Sequence, residues 1–259
     1  MGVLNVNFDS FYSSSRIAGK KEFIPRIAKM IEDGMDILDL GAYSSRPGAD
    51  FVPEEEEKRR LEGVISEVMK EFPDLILSVD TFRSEIARFS VDQGVSIIND
   101  ISGGSLDDKM FKTIAELKVP YILMHMRGTP QTMKEMTDYK DILKEIYQYF
   151  DKKLNQLKEL GVEDVVLDLG YGFAKNLDQN YFLLNHQNYF QSLNRPILTG
   201  ISRKSMIYKL LDSTPEQALN GTSVLNFKAL EKGANILRVH DVREAKEVVK
   251  IFEKLTTER

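Results

Sequence analysis

Short apolar runs alternate with longer stretches of helical period along the chain. Most of the apolar runs are rich in Val, Ile and Leu and do not alternate with polar residues, which is typical of strands that are buried on both faces of a parallel sheet. The eight runs cover residues 2–6, 35–40, 75–79, 95–98, 120–124, 164–169, 196–199 and 235–239.

The stretches between these runs carry apolar residues at three- and four-residue steps, as an amphipathic helix does. One example is the stripe formed by Ile146, Phe150 and Leu154. Eight alternations of this kind predict a single α/β domain over residues 1–259, folded as a (β/α)₈ TIM barrel. An open, doubly wound sheet is the alternative arrangement of the same elements.

Polar residues and glycines follow nearly every predicted strand. In a barrel the carboxyl ends of the strands meet at one rim, where the active sites of barrel enzymes lie. One such cluster would usually be a turn, but eight on one rim favour a functional site. They occupy residues 5–9, 39–48, 80–81, 99–104, 125–129, 168–175, 202–205 and 238–241.

An acidic run at residues 54–57 follows Pro53. Carboxylates favour the positive end of the helix dipole and proline suits the first turn, so the pattern predicts a helix that begins here. We expect the four acidic side chains to be solvated rather than to form a site.

Composition narrows the class of protein. The chain has 35 basic and 40 acidic residues, a net charge of −5, which argues against a general nucleic-acid or membrane-surface binder. It contains no cysteine, which excludes disulfides, thiolate catalysis and cysteine-based metal sites, and its three histidines are not at metal-ligand spacing. No apolar run has the length of a membrane span, so we expect a cytoplasmic protein.

Three segments of the predicted rim carry cations. Residues 41–50, GAYSSRPGAD, hold Arg46 either on a surface loop or on a lid that meets an anionic substrate. Residues 200–206, GISRKSM, place a Ser-Arg-Lys cluster at a helix start, which suits an anion. Arg238 and His240 share one face of the last strand and suit a diphosphate, although His240 could instead be a core histidine bound by Asp241.

Two further segments carry carboxylates at strand ends. Asp168 follows a buried strand, and a carboxylate there can accept two hydrogen bonds from an amidine-like edge, such as that of a pterin or a guanine. Its alternative role is a buried salt bridge with Lys204. Residues 99–104, NDISGG, either hold a polar ring or an anion, or form a turn in which Asp100 is the cap.

Taken together, these segments resemble the dihydropteroate synthase family of the folate pathway. The matching strings are MGVLNV with DSF, SSRPGAD, SVDTF, NDISGG, MHMRGTPQTM, GYGFAK, GISRKS and RVHD. They occur in the family's order and span residues 1–241. The resemblance implies a barrel enzyme that condenses 6-hydroxymethyl-7,8-dihydropterin diphosphate with 4-aminobenzoate, giving 7,8-dihydropteroate and diphosphate.

The resemblance also implies roles for individual residues. The pterin would bind Asp80, Asn99, Asp168 and Lys204. The diphosphate would bind Asn5, Arg238 and His240, and Asn5 would also serve the implied cofactor, Mg²⁺. The 4-aminobenzoate would bind Phe11, Ser45, Arg46, Pro47, Phe173 and Ser202. The catalytic set would be Asp80, Asp168, Lys204 and Asp9, the last because it helps to order the first loop.

The first loop departs from the family pattern. Asn7 and Phe8 stand where Thr-Pro is usual, and Ser13, Ser14 and Ser15 replace an acidic residue and a glycine pair. This departure leaves a non-catalytic pterin-binding paralogue as an alternative function.

A pterin-dependent methyltransferase is a second alternative. It would share Asp80, Asn99 and Asp168, but it should lack SSRPGAD and SRKS. The resemblance further implies a possible homodimer, with neither nucleic acid nor membrane as a partner. The family has an N-terminal hairpin before the first strand, and we expect that hairpin to be missing here.

Overall fold

A computed structural model describes residues 1–6, 16–43 and 52–256 of the chain. Within these ranges, eight parallel strands form one sheet in sequential order. The strands are β1 Gly2–Asn5, β2 Ile37–Gly41, β3 Ile76–Asp80, β4 Ile97–Asp100, β5 Tyr121–Met124, β6 Val165–Asp168, β7 Ile197–Thr199 and β8 Ile236–Leu237.

Helices connect the strands and share one buried core with them, in which Leu40, Leu61 and Phe150 are fully buried. Across the described ranges, no helix combines the length and the apolar character that a membrane crossing needs. The α-helices are α1 Arg16–Glu32, α2 Glu54–Glu71, α3 Ser84–Asp92, α4 Met110–Leu117, α5 Ile142–Glu159, α6 Leu177–Asn185, α7 Ser205–Tyr208, α8 Leu219–Glu231 and α9 Val242–Thr256.

The sheet closes into a barrel between its first and last strands. A parallel bridge pairs Gly2 with Val239. The N–H of Val3 donates to the carbonyl of Val239 at 3.0 Å, and the N–H of Val239 donates to the carbonyl of Met1 at 2.9 Å. The predicted (β/α)₈ barrel is therefore confirmed, and the open sheet is wrong.

The inward side chains form an apolar layer at the amino ends of the strands and a polar layer at their carboxyl ends. The apolar layer is built from Met1, Ile37, Ile97, Ile122, Val166, Leu198 and Ile236. Because side chains alternate across a strand, residues two positions further along face the same interior. From Ile37 onwards these are Asp39, Asn99, Met124, Asp168, Gly200 and Arg238. The charged groups thus lie at the carboxyl ends of the strands, next to the apolar layer that fills the barrel interior.

The bounds of β4 differ from the prediction for this run, which was residues 95–98. The strand runs from Ile97 to Asp100, so two polar residues lie inside it and are buried. Their side chains have buried partners, since Asn99 donates to Asp39 and Asp100 accepts from Tyr121. Paired polar groups are tolerated in a buried strand, and apolar patterning alone misses them.

Candidate active site at the carboxyl ends of the strands

Arg238 follows β8 and joins two other strands at the barrel mouth. Its Nε donates to Asp39 Oδ2 at 2.7 Å, and its Nη2 lies 2.6 Å from the same oxygen. Nη2 also lies 3.1 Å from Asp80 Oδ2. Since Asp39 is fully buried on β2 and Asp80 ends β3, the guanidinium holds a fixed place above the interior.

Asp39 organises this part of the site, and the sequence analysis did not single it out. Its Oδ1 accepts from the Ser78 hydroxyl at 2.7 Å, and its Oδ2 accepts from Asn99 Nδ2 at 3.1 Å. The available signal was a carboxylate in the middle of a buried apolar strand, because such a charge requires a partner. Asp39 thereby orients both Asn99 and Arg238.

Asp80 lies beside this pair with its carboxylate almost buried. Burial raises the pKa of Asp80; the guanidinium of Arg238 opposes the rise, and the negative charge of Asp39 adds to it. A carboxyl group with a raised pKa can hold a proton at milder acidity than a solvated aspartate, and when ionised it can stabilise a developing positive charge.

Asp168 ends β6 on another side of the mouth. Its Oδ1 accepts from the N–H of Gly170 at 2.8 Å. Its Oδ2 lies 4.0 Å from the position that a Cβ on Gly200 would take, so the glycine leaves this oxygen uncovered on that side. Burial raises the pKa of Asp168, while the positive charge of Lys204 and the N–H of Gly170 oppose that rise.

Lys204 lies near both Asp168 and Phe173. Its Nζ donates to the carbonyl of Tyr171 at 2.6 Å and lies 4.9 Å from the centroid of the Phe173 ring. Burial lowers the pKa of Lys204 to about 8, while the carboxylate of Asp168 works in the opposite direction. The salt bridge considered for Asp168 and Lys204 is therefore a charge interaction, and the direct hydrogen bond of Lys204 goes to the loop after β6.

Ser202 and His240 meet at the end of β8. The hydroxyl of Ser202 accepts from the backbone N–H of His240 at 3.1 Å, and its Oγ lies 3.0 Å from His240 Nδ1. Asp241 instead binds Arg203, whose Nε and Nη2 each lie 2.8 Å from a carboxylate oxygen. Ser202 is therefore a hydrogen-bond partner of His240, and Asp241 is paired with Arg203.

Two residues of the segment 99–104 have different roles. Asn99 points towards the barrel interior, whereas Asp100 accepts from the N–H groups of Ser102 at 2.7 Å and Gly104 at 2.8 Å. The hydroxyl of Tyr121 also donates to Asp100 at 2.7 Å. The turn interpretation therefore holds for Asp100, while Asn99 remains a site candidate.

The expectation of a fully solvated acidic run at residues 54–57 is wrong for its last member. Glu57 is fully buried, pairs with Arg83 and accepts from the Thr81 hydroxyl at 2.7 Å. Burial raises the pKa of Glu57, and Thr81 and Arg83 oppose the rise. The helical period turns this position inward, next to Thr81 at the end of β3, which the helix dipole argument alone could not reveal.

The structure brings some predicted site residues together and leaves others undescribed. Asp80, Asn99 and Arg238 meet around Asp39, and Lys204 joins Asp168 to Phe173. The predicted residues that lie outside the described ranges are Asp9, Phe11, Ser45, Arg46 and Pro47.

The implied Mg²⁺ would need oxygen ligands. Among the residues with described positions, no group of three or more acidic or histidine side chains could hold a metal. Asn5 is exposed at the rim. A Cβ added to Gly41 would lie 3.1 Å from Asn5 Oδ1 and 3.8 Å from Asp80 Cβ, so Asn5 and Asp80 flank the same glycine. Since Mg²⁺ commonly takes one or two protein oxygens together with substrate phosphates and water, the residues fit an ion that arrives with a diphosphate.

A closed barrel with carboxylates and cations at its carboxyl rim defines an enzyme of the barrel class that takes a polar, partly anionic ligand. A family model described as pterin binding enzyme matches residues 1–240. The chain belongs to this family.

Within the family, relatives named dihydropteroate synthase match nearly the whole chain. That of Synechocystis sp. is 38% identical over 258 residues, which are 98% of this chain and 89% of that protein. The structure of the Yersinia pestis synthase with a sulfonamide drug complex superposes with a TM-score of 0.92 at 34% identity, covering 99% of this chain and 94% of that one. The Xanthomonas albilineans synthase with 4-aminobenzoic acid gives 0.91 at 32% identity, covering 100% and 93%. The resemblance drawn from the motifs is confirmed.

Proposed function

We propose that this chain condenses 6-hydroxymethyl-7,8-dihydropterin diphosphate with 4-aminobenzoate, forming 7,8-dihydropteroate and diphosphate. The observation that carries this proposal is the convergence of Asp80, Asn99, Asp168, Lys204 and Arg238 on one rim of the barrel. The names of the relatives support the synthase reaction over that of a pterin-dependent methyltransferase.

The pterin would lie between Asp168 and Asn99. The carboxylate of Asp168 would accept two hydrogen bonds from the 2-amino and ring N–H groups, which form an amidine-like edge. The amide of Asn99, held by Asp39 at 3.1 Å, would meet the polar edge on the opposite side. Lys204 would donate to a pterin acceptor, since its Nζ already points into this loop region at Tyr171.

The diphosphate would lie beside Asn5, Arg238 and His240. Arg238 supplies a charge that is always present, and Ser202 holds the imidazole of His240 at 3.0 Å. Mg²⁺, when bound with the substrate through Asn5, would neutralise further charge on the phosphate oxygens.

The 4-aminobenzoate would pack against Phe173, with Ser202 close to its path. Arg46, Ser45 and Pro47 remain predictions for its carboxylate and ring, and so does Phe11 from the first loop. Asp9 remains a prediction for the ordering of that loop.

The reaction would proceed by dissociation of the carbon–oxygen bond between the pterin methylene and diphosphate. The electron pair leaves with the diphosphate, whose charge Arg238 and His240 stabilise. Asp80 and Asp168 then stabilise the positive charge on the pterin methylene. The lone pair of the aromatic amine forms the new carbon–nitrogen bond, and the amine proton passes to solvent or diphosphate. A strong general base is unnecessary because an aniline nitrogen is unprotonated at neutral pH.

The deciding experiment is diphosphate release when both substrates and Mg²⁺ are mixed with the purified chain. A synthase yields dihydropteroate and diphosphate in equal amount when 4-aminobenzoate is present. A chain that binds the pterin without releasing diphosphate would instead be the non-catalytic paralogue.

We also propose that the chain forms a homodimer through α8 and α9. Val224 on α8 is 59% exposed, and Ile251 and Leu255 on α9 are 57% and 63% exposed. The two helices are in contact through Phe227 and Phe252, so the exposed apolar side chains lie on neighbouring elements. Exposed apolar side chains on neighbouring elements support an association surface. The cytoplasmic location and the single-domain organisation stay predictions.

A further inference from the structure

The loop after β6 follows an unusual backbone path immediately beyond Asp168. Gly170, Gly172 and Ala174 have positive φ angles of 68°, 82° and 48°. Only glycine fits at position 170, because a Cβ there would lie 2.0 Å from the carbonyl oxygen of His125. An alanine with positive φ is strained, so the loop needs contacts that hold it.

The buried side chain of Lys175 provides three such contacts. Its Nζ donates to the carbonyls of Gly170 and Phe173, each at 3.0 Å, and lies 3.1 Å from His125 Nδ1. A protonated lysine has three N–H donors and no acceptor, so these three groups can satisfy it completely. Burial lowers the pKa of His125 well below its usual range, and the neutral imidazole can then offer a lone pair.

The same ammonium acts on Asp168 through charge. The N–H of Gly170 donates to Asp168 at 2.8 Å, while the carbonyl of Gly170 accepts from Lys175. Burial raises the pKa of Asp168, and the positive charge of Lys175, together with Lys204, the N–H of Gly170 and Arg238, opposes that rise. Burial lowers the pKa of Lys175 to about 7, while the carboxylate of Asp168 opposes that fall. Gly170 thus connects the Lys175 side chain to the Asp168 carboxylate through its carbonyl and its N–H.

We propose that Lys175 is a positioning residue for the pterin site: its buried side chain fixes the loop after β6 and places a positive charge near Asp168 when it is protonated. This inference rests on the proposed function, which assigns the pterin to Asp168. Other charged or titratable groups face Asp168 and Lys175, and their effects remain when Lys175 is replaced. They are Lys204, Arg238, Arg127, His125 and Tyr171.

The test is the affinity for 6-hydroxymethylpterin as a function of pH, measured by calorimetry on the wild type and on Lys175→Met. Methionine retains an apolar stem and removes the charge. We expect the acidic limb of the affinity profile to move to higher pH by about one unit, because Asp168 loses a nearby cation. Below that limb the loss of affinity should be about tenfold larger than at neutral pH.

The matched control is Asn180→Ala, which removes an uncharged anchor of the same loop. Asn180 Oδ1 accepts from the N–H of Gly172 at 2.7 Å. A purely structural contact should lower the affinity equally at all pH values and leave the acidic limb in place. An unmoved limb in Lys175→Met would overturn the proposal. Absence of pterin binding by the wild type would contradict the proposed function instead.

A second variant and a reciprocal measurement cover the case in which Lys175→Met does not fold. Lys175→Gln is neutral but keeps two amide donors, and the same shift is expected. In Asp168→Asn, the pKa of Lys175, followed by NMR of lysines labelled with ¹³C at Cε, should fall, because charge coupling is reciprocal. A pKa of Lys175 that is the same in Asp168→Asn and wild type would overturn the proposal.

Discussion

Asp168 presents a buried carboxylate at the end of β6, where a single side chain can decide pterin affinity. Asp168→Asn removes the charge and replaces one acceptor by a donor while keeping the shape. We expect pterin affinity to fall by about 2–5 kcal/mol, because a buried charge-assisted pair is lost. Calorimetry with 6-hydroxymethylpterin measures this loss, and circular dichroism checks that the fold is intact.

The matched control for this change is Asp178→Asn, which alters an exposed aspartate in the first turn of α6. It should leave the pterin affinity unchanged. Equal affinities for wild type and Asp168→Asn would remove Asp168 from the pterin site.

Asp39 is the buried partner of Arg238, so its effect should appear in both stability and substrate affinity. Asp39→Asn leaves Arg238 with Asp80 at 3.1 Å as its remaining carboxylate. We expect the free energy of unfolding to fall by about 2–3 kcal/mol. This loss is smaller than that for a buried charge with no partner, because Arg238 keeps Asp80. We also expect a higher KM for the pterin diphosphate, because Arg238 and Asn99 lose their common anchor.

Urea unfolding and steady-state kinetics test these two effects of Asp39→Asn. Asp164→Asn is the control, since Asp164 is exposed at the opposite end of the barrel, just before β6. A variant at position 39 with normal stability and normal KM would show that Asp39 does not organise the site.

The start of α2 depends on one member of its acidic run. Glu57→Ala leaves Arg83 buried without its carboxylate, and Thr81 without an acceptor. We expect the free energy of unfolding to fall by about 3–5 kcal/mol. Glu55→Ala, in the same turn but exposed, should change it by less than about 0.5 kcal/mol. Urea unfolding of both variants distinguishes a buried ion pair from a helix-dipole effect, which would make the two losses similar.

For the whole molecule, His125 links folding to pH. Burial lowers the pKa of His125 in the folded state below its usual 6.5, so the unfolded chain binds more protons in that window. The resulting stability is present above pH 6.5 and is lost as the pH falls, by up to about 1.4 kcal/mol per pH unit.

The measurement is the free energy of unfolding at several pH values for wild type and His125→Gln. The free energy of unfolding of the variant should lack this part of the pH dependence. The difference in free energy of unfolding between the variant and the wild type should therefore change only below about pH 6.5. His186→Gln, at the end of α6, is the control and should follow the wild type. Parallel curves for wild type and His125→Gln would mean that His125 is not held neutral.

Association is a second property of the whole molecule. The apolar side chains Val224, Ile251 and Leu255 on α8 and α9 predict a dimer in solution, and Ile251→Glu should shift it towards monomer by placing a charge in the contact. Sedimentation at several concentrations measures the shift. Leu160→Glu, on an exposed apolar residue after α5, should leave the dimer intact. A wild type that sediments as a monomer would contradict the proposed interface.

The sequence by itself determined the alternating α/β architecture and the end of the strands at which the site lies, and the closure of the sheet into a barrel was shown by the contacts between its first and last strands. Eight apolar runs with helical stretches between them specify parallel strands, and parallel strands place their carboxyl ends together. The alternation of side chains also places Arg238 and His240 on one face of the last strand. These are consequences of local period and chain order, so they can be derived without knowing any contact.

Only the tertiary structure decided which of these groups are partners. Arg238 bonds to Asp39, which lies 199 positions away in the sequence, and Glu57 is buried against Arg83. The Nζ of Lys175 has three acceptors, and one of them is Nδ1 of His125, the residue that follows β5. Period specifies the face of an element but not the side chain opposite to it. That choice depends on how the closed barrel brings distant strand ends to within hydrogen-bonding distance, and on the cost of leaving a buried charge without a partner.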